Sequence, residues 1–159
     1  MSAIDIGAAA ISRGYGTTSG YTYVLRDNPA NDSGIITSVE VWAKTAMAGL
    51  RVGTFYLVSG TTYKCRDSAT LGSVATGSKR TFSDLAIQVV VGDLIGFYAT
   101  SGTLMLGVTG GAGYVAKTGE FIDAGDSTSF NATNNYIISL YGVGATSPLS
   151  GASFLLRMI

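Results

Sequence analysis

Histidine is absent from the chain. That removes Ser-His-Asp and Cys-His nucleophilic catalysis, and with them His-ligated zinc, iron or copper. Cys65 is the only cysteine, so it forms no intramolecular disulfide and no thiolate metal site. Its setting in TTYKCRDS reads as a strand interior, where cysteine behaves as a small buried hydrophobe. Carboxylates remain: Glu40 and Glu120 are the only glutamates, beside eight aspartates. A glycosidase needs two carboxyl groups facing one another about 5–9.5 Å apart. Glu40, next but one to Trp42, is a candidate for one of them, but no spacing supplies its partner. The chain is rich in serine yet carries no GxSxG elbow to activate one.

Calcium takes clustered oxygen ligands. Asp27, Asn31 and Asp32, in the turn-rich stretch DNPANDSG, are the candidate ligands, and Asp123 and Asp126 form a second acidic turn. Neither has EF-hand spacing. Asx side chains that cap nearby backbone amides explain both clusters more simply. TGGAG at Thr109–Gly113 lacks the lysine and following helix of a phosphate loop. The expectation is a protein that is not an enzyme and has no cofactor, with calcium as the one ion its residues could hold.

Aromatic residues are the stronger functional lead. Tyr15, Tyr21, Tyr23, Trp42, Tyr63 and Tyr114 fall in loops or on strand faces not needed for the core. Exposed aromatics stack on sugar rings, and tyrosine and tryptophan are also typical of protein interfaces. Trp42, Tyr21, Tyr23 and Tyr114 are therefore candidate interface or ligand residues.

The elements that must carry these residues read as strands. Glycine occurs 22 times and proline twice, with short β-branched runs between turn residues. This punctuation predicts an all-β sandwich. The central stretch is Lys79–Tyr98, KRTFSDLAIQVVVGDLIGFY, two apolar strands joined at Gly92-Asp93. Strands this apolar need a second layer over them. Tyr21–Arg26 reads as a strand between two loops. Ile35–Ala43 alternates, with Ile35, Thr37, Val39, Val41 and Ala43 on the core face and Trp42 on the other. No helical stripe and no internal repeat appears. The fold expected is a single antiparallel, jelly-roll-like β-sandwich over residues 1–144.

Residues 145–159 form a C-terminal apolar extension. Phe154, Leu156 and Met158 alternate with other apolar residues, so both faces seek cover. The segment is either the last core strand or an arm that adds to a neighbour's sheet. Phe154, Leu156 and Met158 join the interface candidates.

Charged residues make up 13% of the chain and formal net charge is zero, against a usual charged share of roughly 25%. So little charge leaves surfaces that are neutral or covered, which favours a homo-oligomer. Lysine and arginine are scattered, which argues against nucleic-acid binding. The N-terminus has no basic region ahead of its apolar run, so no signal peptide is expected. No apolar run is long enough for a membrane helix.

DIGAAAISR from Asp5, NPANDSGIITSVEVW, VGTFY, YKCRDS, GSKRTFSDL, VVVGDLIGFY and SLYG ending at Gly142 resemble a group of uncharacterised Gly/Thr-rich β-sandwich proteins of tailed-phage and prophage structural gene neighbourhoods. The resemblance implies a virion component, a head decoration or head/tail fibre protein. It would assemble in the host cytoplasm with further copies and other virion proteins. It carries no active site with it. The alternative is a carbohydrate-binding module that uses the exposed aromatics on a surface glycan, with calcium in the Asp27–Asp32 turn.

Overall fold

The computed structural model describes residues 3–146. It is all-β, with antiparallel sheets packed as a sandwich. The strands are β1 (Ala3–Gly7), β2 (Tyr15–Gly16), β3 (Tyr21–Leu25), β4 (Gly34–Val41) and β5 (Ala43–Ser59). Then come β6 (Thr62–Val74), β7 (Arg80–Phe82), β8 (Ile87–Val89), β9 (Leu94–Tyr98) and β10 (Ser101–Gly107). The last are β11 (Tyr114–Thr118), β12 (Ser127–Ser129), β13 (Asn131–Thr133), β14 (Ile137–Ile138) and β15 (Leu140–Thr146).

The first sheet has the order β1-β15-β4, with β7 and β8 sharing the outer edge of β4. The second runs β12-β6-β5-β9-β3-β11-β13, and β10 extends it by pairing with the start of β5. The main core lies between the sheets, where Ile4, Ile36 and Val39 meet Leu50, Val52, Ile95 and Phe97. A second, smaller core lies on the other face of the second sheet. There Val24, Phe55, Cys65 and Val115 are covered by Ile122 and Phe130 of the segment before β13. Gly96 has no side chain because a Cβ there would sit 2.7 Å from the Phe55 ring. Arg51 pins the covering segment with bonds of 2.5 Å to both Glu120 and Asp123.

Several expectations change. The turn at Gly92 exists, with φ 90°, a backbone angle glycine adopts at no steric cost. It does not join a hairpin. β8 pairs with β4 in the first sheet, and β9 pairs with β3 and β5 in the second. The corner therefore carries the chain between layers. Val91, at the corner, is consequently exposed. Ile35–Ala43 does not alternate cleanly either. Opposite Val143 and Gly144 the pairing jumps from Ser38 to Ile36. The bulge at Thr37 turns Ile36, not Ile35, into the core. β15 continues to Thr146.

Asp93 holds the corner. Its side chain is 2% exposed and receives Arg66 in a two-point grip, Nε to Oδ2 at 2.6 Å and Nη2 to Oδ1 at 3.0 Å. The Val90 amide also donates to Oδ2, at 2.9 Å. Arg66 in turn lies 4.4 Å over the Tyr56 ring. Replacing one partner of a buried pair strands the other and typically costs about 3–5 kcal/mol. Arg66 is a quarter exposed, so solvent screening brings the expectation for Asp93→Ala down to about 2–3 kcal/mol. Thermal unfolding should fall by roughly 5–10 °C. An unchanged melting temperature would contradict the role assigned to the pair.

Cys65 yields a second prediction. It is 1% exposed, and burial, followed by the nearby Asp126 and Asp67 carboxylates, pushes its thiol up from 9.0 to about 12. In the unfolded chain the thiol loses its proton above about pH 9, while the folded protein keeps it. The unfolded state then binds fewer protons, so stability falls with rising pH between those values. Relative to Cys65→Ala, the wild type should lose roughly 2–3 kcal/mol between pH 9 and 11 in denaturant titrations. Parallel pH profiles for the two proteins would overturn this account.

Candidate functional site

The aromatic candidates move mostly into the interior. Tyr23 is 5% exposed, and its ring stacks on Phe97 at 5.2 Å and 8°. Tyr114 packs edge-on against it at 5.0 Å, and Tyr21 lies tilted beside it at 6.0 Å. The Thr18 amide donates to the Tyr23 hydroxyl. Burial drives the Tyr23 phenol above its usual range. Tyr23 is thus a core residue, not an exposed ligand platform, and Tyr21 and Tyr114 are half-buried against the same cluster. The second core explains the difference: β3 is covered on both faces, so its alternation leaves no free side. Trp42 is half-buried in the break between β4 and β5, where the chain leaves the first sheet for the second. Its amide donates to the Ser139 carbonyl at 3.4 Å and its carbonyl accepts from Met105 at 2.9 Å. Tyr63 packs on Phe130. Of this group Tyr15 alone is exposed, at 57%.

The calcium candidates point in separate directions. Asn31 caps the free edge of β1: its Oδ1 accepts from the Asp5 amide at 2.9 Å, and its Nδ2 donates to the Ala3 carbonyl at 3.0 Å. Asn28 continues this edge, exchanging bonds with Gly7. Asp27 Oδ1 accepts from the Ala112 amide, and Asp32 Oδ1 accepts from the Ser33 amide. Asp123 and Asp126 cap one another's turn. Among the described residues no group of three or more His, Cys, Asp or Glu side chains is placed to hold a metal ion. Phe154, Leu156 and Met158 lie outside the described residues.

Glu40 and Glu120 sit on opposite outer faces of the sandwich. Glu40 is on the first sheet with Lys79 at 3.5 Å, and Glu120 is on the segment covering the second sheet, bonded to Arg51. They do not face one another as a catalytic pair.

Two surface features stand out, and neither was legible from spacing. At one end of the sandwich Leu57 and Val58 are each 53% exposed, with Val90 at 39% and Val91 at 58%. Topology brings them together. Phe55 pairs with Leu94, so the β5–β6 turn and the β8–β9 corner project at the same end. Thr146 pairs with Gly34, which pairs with Val89, so the last pair of the β15–β4 ladder lies at this end as well.

At the other end of the first sheet lies a cleft of about 350 Å³ lined by Ala9, Ala10, Ile11, Glu40, Lys79 and Tyr141. Tyr141 and Glu40 are cross-strand neighbours on β15 and β4. The Tyr141 hydroxyl donates to Asp5 Oδ2 at 3.0 Å. Burial first, and then this bond, raises the Tyr141 phenol above its ordinary value. One wall, residues 8–13, is tied down by Arg13. Its Nε donates to the Ser139 hydroxyl at 2.8 Å and its Nη2 to the Ala9 carbonyl at 3.0 Å. Ser139 in turn donates to the Ile11 carbonyl at 2.7 Å. Comparison of the chain with protein-family models, with curated proteins and with solved structures found no match.

Proposed function

We propose that this chain is a non-enzymatic structural protein of a phage virion, a head decoration or head/tail fibre component, that works through contacts between subunits. The observation that carries the reading is the apolar end formed by Leu57, Val58, Val90 and Val91. Four exposed aliphatic side chains at one end of a sandwich, on a protein with net charge zero, favour association with a second copy. In the sequence, Phe154, Leu156 and Met158 alternate with other apolar residues, which adds a second apolar element to the chain. The phage setting is supported by the resemblance of the motifs between Asp5 and Gly142. The absence of histidine and the pairing of both glutamates with cations on opposite faces support the non-enzymatic reading.

Light scattering on the full chain over a range of concentrations should report a stable oligomer. Val90→Ser with Val91→Ser, and separately Leu57→Ser with Val58→Ser, should dissociate it with little change in melting temperature. Deleting residues 147–159 should leave a folded but dissociated protein. A wild type that stays monomeric at every concentration would remove the basis for this reading.

A further inference from the structure

The cleft beside Glu40 is built differently from the apolar end, and we infer that it binds a neutral saccharide. The argument begins with charge. Glu40 and Asp5 bring two carboxylates to the cleft and its immediate border. Lys79, 3.5 Å from Glu40, and Arg13, bonded to the Ala9 carbonyl of the wall, bring two cations. Within the lining itself, the charges of Glu40 and Lys79 cancel. A site balanced in this way offers no net field to select an anion or a cation. It does offer donors and acceptors set side by side, which a polyhydroxylated ligand can satisfy from one group to the next.

The lining chemistry narrows the class further. Ala9, Ala10 and Ile11 form an apolar wall, and Glu40, Lys79 and Tyr141 line the remainder. Ligand sites commonly pair apolar walls with a few fixed polar groups in volumes of about 300–1,000 Å³. A pyranose ring has the matching shape: an axial C–H face that wants apolar cover, and a rim of hydroxyls that wants hydrogen bonds. Tyr141 donates its proton to Asp5, so its oxygen is left to accept from a ligand hydroxyl. Lys79 Nζ approaches Glu40 through Oε2, which leaves Oε1 to accept as well.

The site is held in place before any ligand arrives. Glu40 and Tyr141 stand on paired strands, in register. The wall is fixed by Arg13 and by the buried Ser139 hydroxyl. Rigid placement of this kind lowers the ordering cost of binding. None of the aromatics singled out from the sequence lines the cleft.

The test is saturation-transfer NMR on the full-length protein with a panel of neutral methyl glycosides of glucose, galactose, mannose and N-acetylglucosamine. At least one should receive transfer at its ring C–H protons. That transfer should fall at least tenfold in Glu40→Gln and in Lys79→Met, both at half-exposed or exposed positions where the fold is retained. Amide shift changes in the labelled protein should centre on residues 9–11, 40 and 141. Three results would each overturn the inference. These are no transfer to any neutral glycoside, transfer only to a cationic probe such as lysine methyl ester, and saccharide binding that both substitutions leave intact. None of these results would bear on subunit association, which is read at the opposite end of the sheet by light scattering.

Discussion

A carboxylate with 2% of its side chain exposed is a costly thing to bury, and this sandwich depends on one. Asp93 sits where the chain crosses from one sheet to the other. A corner of this kind takes residues out of both ladders and leaves amides to be satisfied elsewhere. Asp93 answers several demands at once. Its carboxylate accepts from the Val90 amide and from two nitrogens of Arg66, and its backbone carbonyl accepts from Ala30. The Gly92 amide then returns a bond to Ala30. The corner is thereby stitched to β6 on one side and to the turn before β4 on the other. Strands β8 and β9 enter different sheets in register because this short segment cannot slide. An ion pair of this type contributes more to position than to net stability, since apolar replacements of both partners are often neutral.

The same economy governs the other charges. All five arginines among the described residues are hydrogen-bonded to other groups of the chain. Arg13 holds Ser139 and Ala9, Arg26 holds Thr133 and Asn134, and Arg51 holds the covering segment. Arg66 grips Asp93, and Arg80 caps the carbonyls of Ala75 and Thr76. Asparagine closes the open edge of β1 as a short neighbouring strand would, which blunts an edge that would otherwise invite pairing. Few charged side chains are therefore left without a partner in the chain. What charge exists is largely spent on internal geometry, and little remains to oppose association at an apolar end.

Much of the architecture was readable from the residues, and what was not has a specific cause in each case. Glycine and Asx punctuation located the turns because those residues carry local backbone preferences, as the positive φ at Gly92 illustrates. Strand content followed from β-branched runs. The partner of each strand did not follow. Lys79–Tyr98 reads as two strands joined at Gly92-Asp93 because the turn between its halves is short, and only the third dimension reveals that the halves join different layers. A bulge such as that at Thr37 leaves no mark in composition, yet it reverses which of Ile35 and Ile36 is buried. The assignment of Tyr23 to a free face rested on a two-layer picture. Ile122 and Phe130, from a segment distant in sequence, supply the extra cover and leave β3 no exposed side. The cleft residues were seen singly, Glu40 as a carboxylate and Lys79 as part of a scattered charge, because register across β15, β4 and β7 is what unites them.

The two surface features occupy opposite ends of the same strand. Gly34, at the start of β4, is in register with Thr146 and Val89 at the apolar end. Glu40, near its finish, borders the cleft. Six residues of strand separate them, roughly 20 Å at the rise of an extended chain. Association through Leu57, Val58, Val90 and Val91 would cover the Gly34 end and leave the Glu40 end facing away from the contact. β4, like β15, is an inner strand of its sheet, flanked by β15 and by β7 and β8, so it ties the two ends together through paired neighbours on both sides. A sandwich built on that strand can present one end to its neighbours and the other to solvent without either surface disturbing the other.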